Sequence, residues 1–164
     1  MNPLFELALA MKAAHRALER LMNDALEPLG VTDVQADALV VIGQAGPLSL
    51  KDLGDLLIAE AGHPSRLVDR LVEAGLVARE PLPEDRRHVV LTLTSRGRER
   101  VVEIERIRTT VLDFARGLLG DRDIAGAQEL IESFLMHTPY REFLDRRRRL
   151  SATAPAEDGT EPSR

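Results

Sequence analysis

Leu76-Val77-Ala78-Arg79-Glu80 and Val89-Val90-Leu91-Thr92-Leu93-Thr94 are two short apolar runs, separated by Pro81-Leu82-Pro83-Glu84-Asp85-Arg86-Arg87-His88. The runs are rich in aliphatic and β-branched residues and predict two strands. The segment between them is polar, is punctuated by prolines and carries two adjacent guanidiniums. Upstream, His63-Pro64-Ser65-Arg66 opens a stretch with Leu67, Val68, Leu71 and Val72 at helical spacing, and Gly75 is well suited to end it. Downstream, Thr94-Ser95 caps a long helix through Val101, Ile104, Ile107, Val111, Leu112 and Leu118. A helix followed by a basic-tipped strand pair has the form of a winged helix-turn-helix. In that motif the helix enters the major groove of DNA while an arginine at the tip of the wing reaches the minor groove. Arg86 and Arg87 are therefore candidate DNA contacts, with simple solvated charge as the alternative.

The rest of the chain reads as helix. Asn2-Pro3 is an N-cap with a first-turn proline. Leu7, Met11, Ala14, Leu18, Leu21, Met22 and Ala25 follow on one face until Pro28 and Gly30 stop it. Thr32 and Gln35 have the spacing of a capping box, and the helix they start runs through Leu39, Val40 and Ile42 to about Gln44. After the Gly46-Pro47 turn, Ser49-Leu50-Lys51-Asp52 caps a helix buried through Leu50, Leu53, Leu56 and Leu57. Beyond Gly120-Asp121, the residues Ile124, Ala127, Leu130, Ile131, Phe134 and Leu135 form a further apolar face. Pro139 interrupts it, and Tyr140 to Leu150 forms a short basic helix.

The fold class expected is mainly α with a small two-stranded β-wing. A single domain spans residues 1–150, with the winged module at about 31–97 and dimerisation helices at 1–28 and 98–150. The Ala-, Pro-, Glu-, Ser- and Thr-rich tail at 151–164 is expected to be disordered. The terminal helices are too apolar to lie alone on the surface of the module. Leu112 and Leu130 are expected in an interface between two copies, which would present two reading heads to a pseudo-palindromic site.

Composition narrows the chemistry. The 164 residues contain no cysteine, which excludes disulfides, Cys-ligated zinc and thiol redox sensing. No apolar run approaches a membrane span, so the chain is expected to be cytoplasmic with no membrane partner. The four histidines His15, His63, His88 and His137 lie far apart, so no metal and no cofactor are expected. No nucleophile elbow, glycine-rich phosphate loop or catalytic carboxylate pair is visible, and no enzyme is expected. The net charge of −5 opposes a nucleic-acid partner at first sight. Its distribution does not: residues 63–100 hold eight arginines against six acids, and this is the only net-basic third.

The joint order of Leu29-Gly30-Val31-Thr32, Gln35 and Leu39, then Leu53 and Leu57, then Arg66-Leu67-Val68-Asp69-Arg70-Leu71, Ala74-Gly75-Leu76-Val77, Asp85-Arg86-Arg87 and Leu91-Thr92-Leu93-Thr94 with Gly97 resembles the MarR family of winged-helix transcriptional regulators. The resemblance covers about residues 5–137. It implies a homodimer that binds double-stranded DNA by recognition helix and wing and commonly represses neighbouring genes until a small-molecule effector binds. Carried over by position, the recognition helix contains Ser65, Arg66, Asp69 and Arg70. Arg87 takes the place of the wing-tip arginine, and Asp85 that of the acid orienting it.

On that reading Arg66 addresses a base edge and Ser65 a phosphate. Arg70 lies one turn further along the same face, with pairing to Asp69 or Glu73 as the alternative. Ser49 opens the preceding helix, where backbone N–H groups approach a phosphate, or it is a plain N-cap. His15 and Asp37 fall near the junction at which the resemblance places effectors, with ordinary polar roles as the alternative. Arg146-Arg147-Arg148-Arg149 adds electrostatic affinity for DNA or pairs with acidic residues. One departure stands out: Pro64 occupies a position the family fills with an apolar residue inside the recognition helix. The helix is therefore expected to begin near His63, and Glu60-Ala61-Gly62 supplies no hydroxyl ahead of it. A winged-helix protein-interaction module without specific DNA binding is the rival reading.

Overall fold

The structure, a computed structural model, describes residues 2–58, 64–81 and 89–153. The elements are α1 (Pro3–Leu26), α2 (Asp33–Ala45), α3 (Leu50–Asp55), α4 (Pro64–Glu73), β1 (Val77–Pro81), β2 (Val89–Leu93), α5 (Ser95–Leu119), α6 (Ile124–Leu135) and α7 (Tyr140–Thr153). The expected mainly α fold with a two-stranded antiparallel sheet is what forms.

α2 is the spine of the module. Thr32 caps it through the full box: its hydroxyl oxygen accepts from the Gln35 amide at 3.3 Å, and the Gln35 side chain accepts from the Thr32 N–H at 2.9 Å. Ala36, Ala38, Leu39, Val40, Val41 and Ile42 are all buried, as a helix with an almost unbroken apolar run requires. Around them pack Met22 and Leu26 of α1, Leu53 of α3, Val68 and Leu71 of α4, Leu76, Val77, Leu91, and Ile104 and Val111 of α5. With so few aromatics the core is filled almost wholly by aliphatic side chains.

The strands pair antiparallel with Val77 opposite Leu93, Arg79 opposite Leu91 and Pro81 opposite Val89. β1 starts and ends one residue later than expected and β2 ends one residue earlier, and the flanking helix ends claim Leu76 and Thr94. Leu76 completes the end of α4: its N–H donates to the Leu71 carbonyl at 3.0 Å while Gly75 donates to Val72 at 2.9 Å. This is a Schellman closure that needs a left-handed residue, and Gly75 supplies it with φ 69°. Thr94 is the N-cap of α5, accepting from the Gly97 N–H at 3.0 Å. A pairing that the sequence does not announce flanks β2 on its other side, where Leu48 and Leu91 exchange backbone hydrogen bonds of 2.8 and 3.4 Å.

α7 runs longer than the basic helix expected to end at Leu150. It continues through Thr153, three residues past the point where the composition changes, and residues 154–164 lie outside the described residues.

Candidate nucleic-acid interface

α3 and α4 carry the candidate residues Ser49, Ser65, Arg66 and Arg70. Ser49 begins α3 with a second capping box: its hydroxyl oxygen accepts from the Asp52 N–H at 3.1 Å, and its O–H lies 2.6 Å from Asp52 Oδ2. The hydroxyl of Ser49 is thus committed inside the protein, which favours its reading as an N-cap.

Pro64 heads α4, the one place in a helix where its missing N–H and fixed φ cost nothing. Gly54 lets α3 pass close beneath it, since a Cβ there would stand 3.3 Å from Pro64 Cγ. α4 buries Val68 and Leu71 and turns Ser65, Arg66, Asp69 and Arg70 outward. Arg66 and Arg70 are one turn apart and share a face. Asp69 is paired with Arg79 of β1, Nη2 to Oδ1 at 2.7 Å, so one of the two partners considered for Arg70, the other being Glu73, is already engaged. The pair is exposed and adds little stability, but it joins the outward face of α4 to the base of the strand pair.

Asp85, Arg86 and Arg87, and with them His63 and Glu60-Ala61-Gly62, lie outside the described residues. The expectations placed on them are neither met nor contradicted.

The second candidate region is the junction of α1, α2, α5 and α7. Asp37 is half-buried and receives Arg147 Nη2 at 2.7 Å and Arg108 Nη2 at 3.3 Å. Burial raises the Asp33 carboxyl above its ordinary value; Arg108 opposes that shift, while Asp37 and Glu19 reinforce it and His15 opposes it. His15, exposed on α1, and Asp37 on α2 therefore act on the same carboxylate. Sequence reading did not single out Arg108 or assign Arg147 to Asp37. The signal was present: Asp33 and Asp37 stand one turn apart as the only charged residues of α2, and half-buried carboxylates call for cations.

Arg146 to Arg148 prove to be ion-paired within the chain. Arg146 pairs with Glu142 and Asp55, Arg147 with Asp37 and Arg148 with Glu132. Among the described residues no group of acidic and histidine side chains could hold a metal ion, and no helix is long and apolar enough to cross a membrane.

Residues 31–89 match the MarR family. The chain is 33% identical over 96 residues to the multiple antibiotic resistance protein MarR of Escherichia coli, covering 58% of this chain and 67% of that one. It is 31% identical over 106 residues to the HTH-type transcriptional regulator YwoH of Bacillus subtilis, covering 65% and 74%. In three dimensions it is similar to a cysteine-to-serine mutant of E. coli MarR complexed with operator DNA. The TM-score there is 0.73 at 27% identity, covering 82% of this chain and 96% of that one. A MarR-like transcription regulator from Bacillus cereus, at 20% identity with a TM-score of 0.73, shares the fold.

Proposed function

The chain belongs to the MarR family of transcriptional regulators, and from that premise we propose that it is a homodimeric, operator-binding repressor released by a small-molecule effector. The observation that carries the DNA reading is α4: apolar residues anchor one side while Ser65, Arg66 and Arg70 stand outward on the other. Arg66 addresses a base edge, Ser65 a phosphate, and Arg70 the next step along the groove. Arg87, oriented by Asp85 and flanked by Arg86, enters the minor groove. Ser49 contributes through the capped opening of α3. A repressor of this kind works in the cytoplasm, where its operator is.

The dimer reading rests on apolar side chains that the single chain leaves in water. Leu4 is 62% exposed on α1, Leu112 and Leu118 are 59% and 69% exposed on α5, and Leu130 and Phe134 are 58% and 66% exposed on α6. An isolated subunit does not expose so much large apolar surface on three neighbouring helices without a partner. Two of these helices, α1 and α5, also border the polar junction of His15, Asp33 and Asp37. An effector bound there changes the separation of the two heads, and the dimer no longer fits half-sites one helical turn apart.

Arg66→Ala tests the reading. In selection of bound sequences from a random duplex pool, the variant relaxes preference at the base position Arg66 addresses, with a loss of about 1–3 kcal/mol on the selected site. An unchanged selected sequence at undiminished affinity takes Arg66 out of the interface. Failure of the unmodified protein to enrich any sequence favours the protein-interaction module instead.

A further inference from the structure

α7 grips two parts of the molecule at once. Toward the reading head, Arg147 meets Asp37 of α2 at 2.7 Å and Arg146 meets Asp55 of α3 at 3.6 Å, while Leu150 packs against the buried core. Toward the dimerisation side, Arg148 and Arg141 both reach Glu132 of α6, Arg141 at 3.5 Å. The head and the interface helix are thus tied through one basic helix whose charges alternate between them.

The ties differ in kind. Those of Arg146 are exposed and individually weak, and in the Arg148–Glu132 pair the guanidinium side is half-exposed. Arg147 and Asp37 have side chains only 22% and 29% exposed. The second terminal nitrogen of Arg147, Nη1, is buried with no hydrogen-bond partner among the described residues. Such a guanidinium depends on its one carboxylate, and removing that carboxylate strands a charge away from water. The relation is unequal: Asp37 keeps Arg108 of α5 at 3.3 Å when Arg147 is lost.

We propose that Arg147 and Asp37 are positioning residues, and that through them α7 clasps the reading head to α6 and fixes the half-site spacing that the dimer accepts. This rests on the DNA-binding dimer proposed above. Neither residue needs to touch DNA; they act by limiting how α2, and with it α3 and α4, swings against the interface helices. The clasp and the effector junction share Asp37, so a ligand that competes for its carboxylate would loosen α7 directly.

Arg147→Gln is the informative variant, because Arg108 continues to neutralise Asp37 and the fold is kept; Arg147→Lys, which restores the charge, is its control. Two readouts are needed. The first is hydrogen exchange of the α7 amides in the dimer without DNA. Arg147→Gln raises exchange about tenfold and Arg147→Lys restores most of the protection; unchanged protection overturns the clasp whatever the protein binds.

The second readout is affinity for the selected duplex, for the same duplex with half-site spacing altered by one base pair, and for a single half-site. Arg147→Gln loses about tenfold on the full site and accepts the altered spacing nearly as well, with half-site affinity unchanged. Equal losses on full site and half-site mean that Arg147 contacts DNA, and unchanged spacing preference means that the clasp does not set it; either result overturns the proposal. If the unmodified protein selects no duplex, the DNA reading fails while the exchange result still decides the clasp.

Discussion

Gly97 shows how much a single residue decides. A Cβ at this position would lie 2.0 Å from the backbone oxygen of Leu76, a contact that no rotamer relieves. The closeness is functional geometry, because the same Leu76 carbonyl accepts the Thr94 N–H at 3.1 Å and the Thr94 hydroxyl donates to Gly75 at 2.8 Å. Three chain segments are drawn together at the base of the strand pair: the end of α4, the end of β2 and the start of α5. Gly97→Ala must push them apart and should cost about 1–3 kcal/mol, measured as a drop in unfolding free energy by denaturant titration. A variant as stable as the parent would show that the approach can relax at no cost. Gly97 enters the sequence reading only as one position of the family pattern, and the packing supplies its physical reason.

At the scale of elements, the helix ends were the most legible features. Asn2, Thr32, Ser49, Thr94 and Gly75 announce caps by residue type, and each sits where its chemistry places it. Capping is local and leaves a local signature. The Leu48 pairing was illegible because one residue between Pro47 and Ser49 carries no periodicity. The partners of the Arg146-to-Arg149 run were illegible for another reason: Asp37 lies 110 residues from Arg147, and nothing in a charge run says which acid it will meet. For the candidate DNA interface, the outward face of α4 followed from apolar spacing, whereas the tie of Asp69 to Arg79 required the strands to be placed.

The joint between α6 and α7 has a pH dependence of definite sign. Hydrogen bonds first from Arg148 and then from Gln128 hold the Glu132 carboxyl down at about 2, against an ordinary value of 4.5. A carboxylate lowered in the folded state contributes its stability above pH 4.5 and loses it as pH falls toward 2. The difference in melting temperature between the parent and Glu132→Gln is therefore expected to be widest above that value and to narrow by about pH 3. A gap independent of pH would mean that the ionised pair is not what joins the two helices.

At the scale of the molecule, one tension runs through the chain: a net charge of −5 on a protein proposed to engage a polyanion. Internal pairing leaves that sum unchanged and decides only where the charge lies. Acids on α2, α3 and α6 are paired with arginines of α7, and on α4 the arginines Arg66 and Arg70 stand outward on the face proposed to approach DNA, with Asp69 tied to Arg79. Long-range repulsion remains, so affinity must come from close complementary contacts and from two heads acting together. Binding to the duplex upstream of its own gene, followed by fluorescence anisotropy in rising salt against a scrambled duplex, tests this most directly. The account predicts a preference for the upstream duplex that survives roughly physiological salt, with log affinity falling linearly as log salt rises. Equal and weak binding to both duplexes at every salt concentration would contradict it.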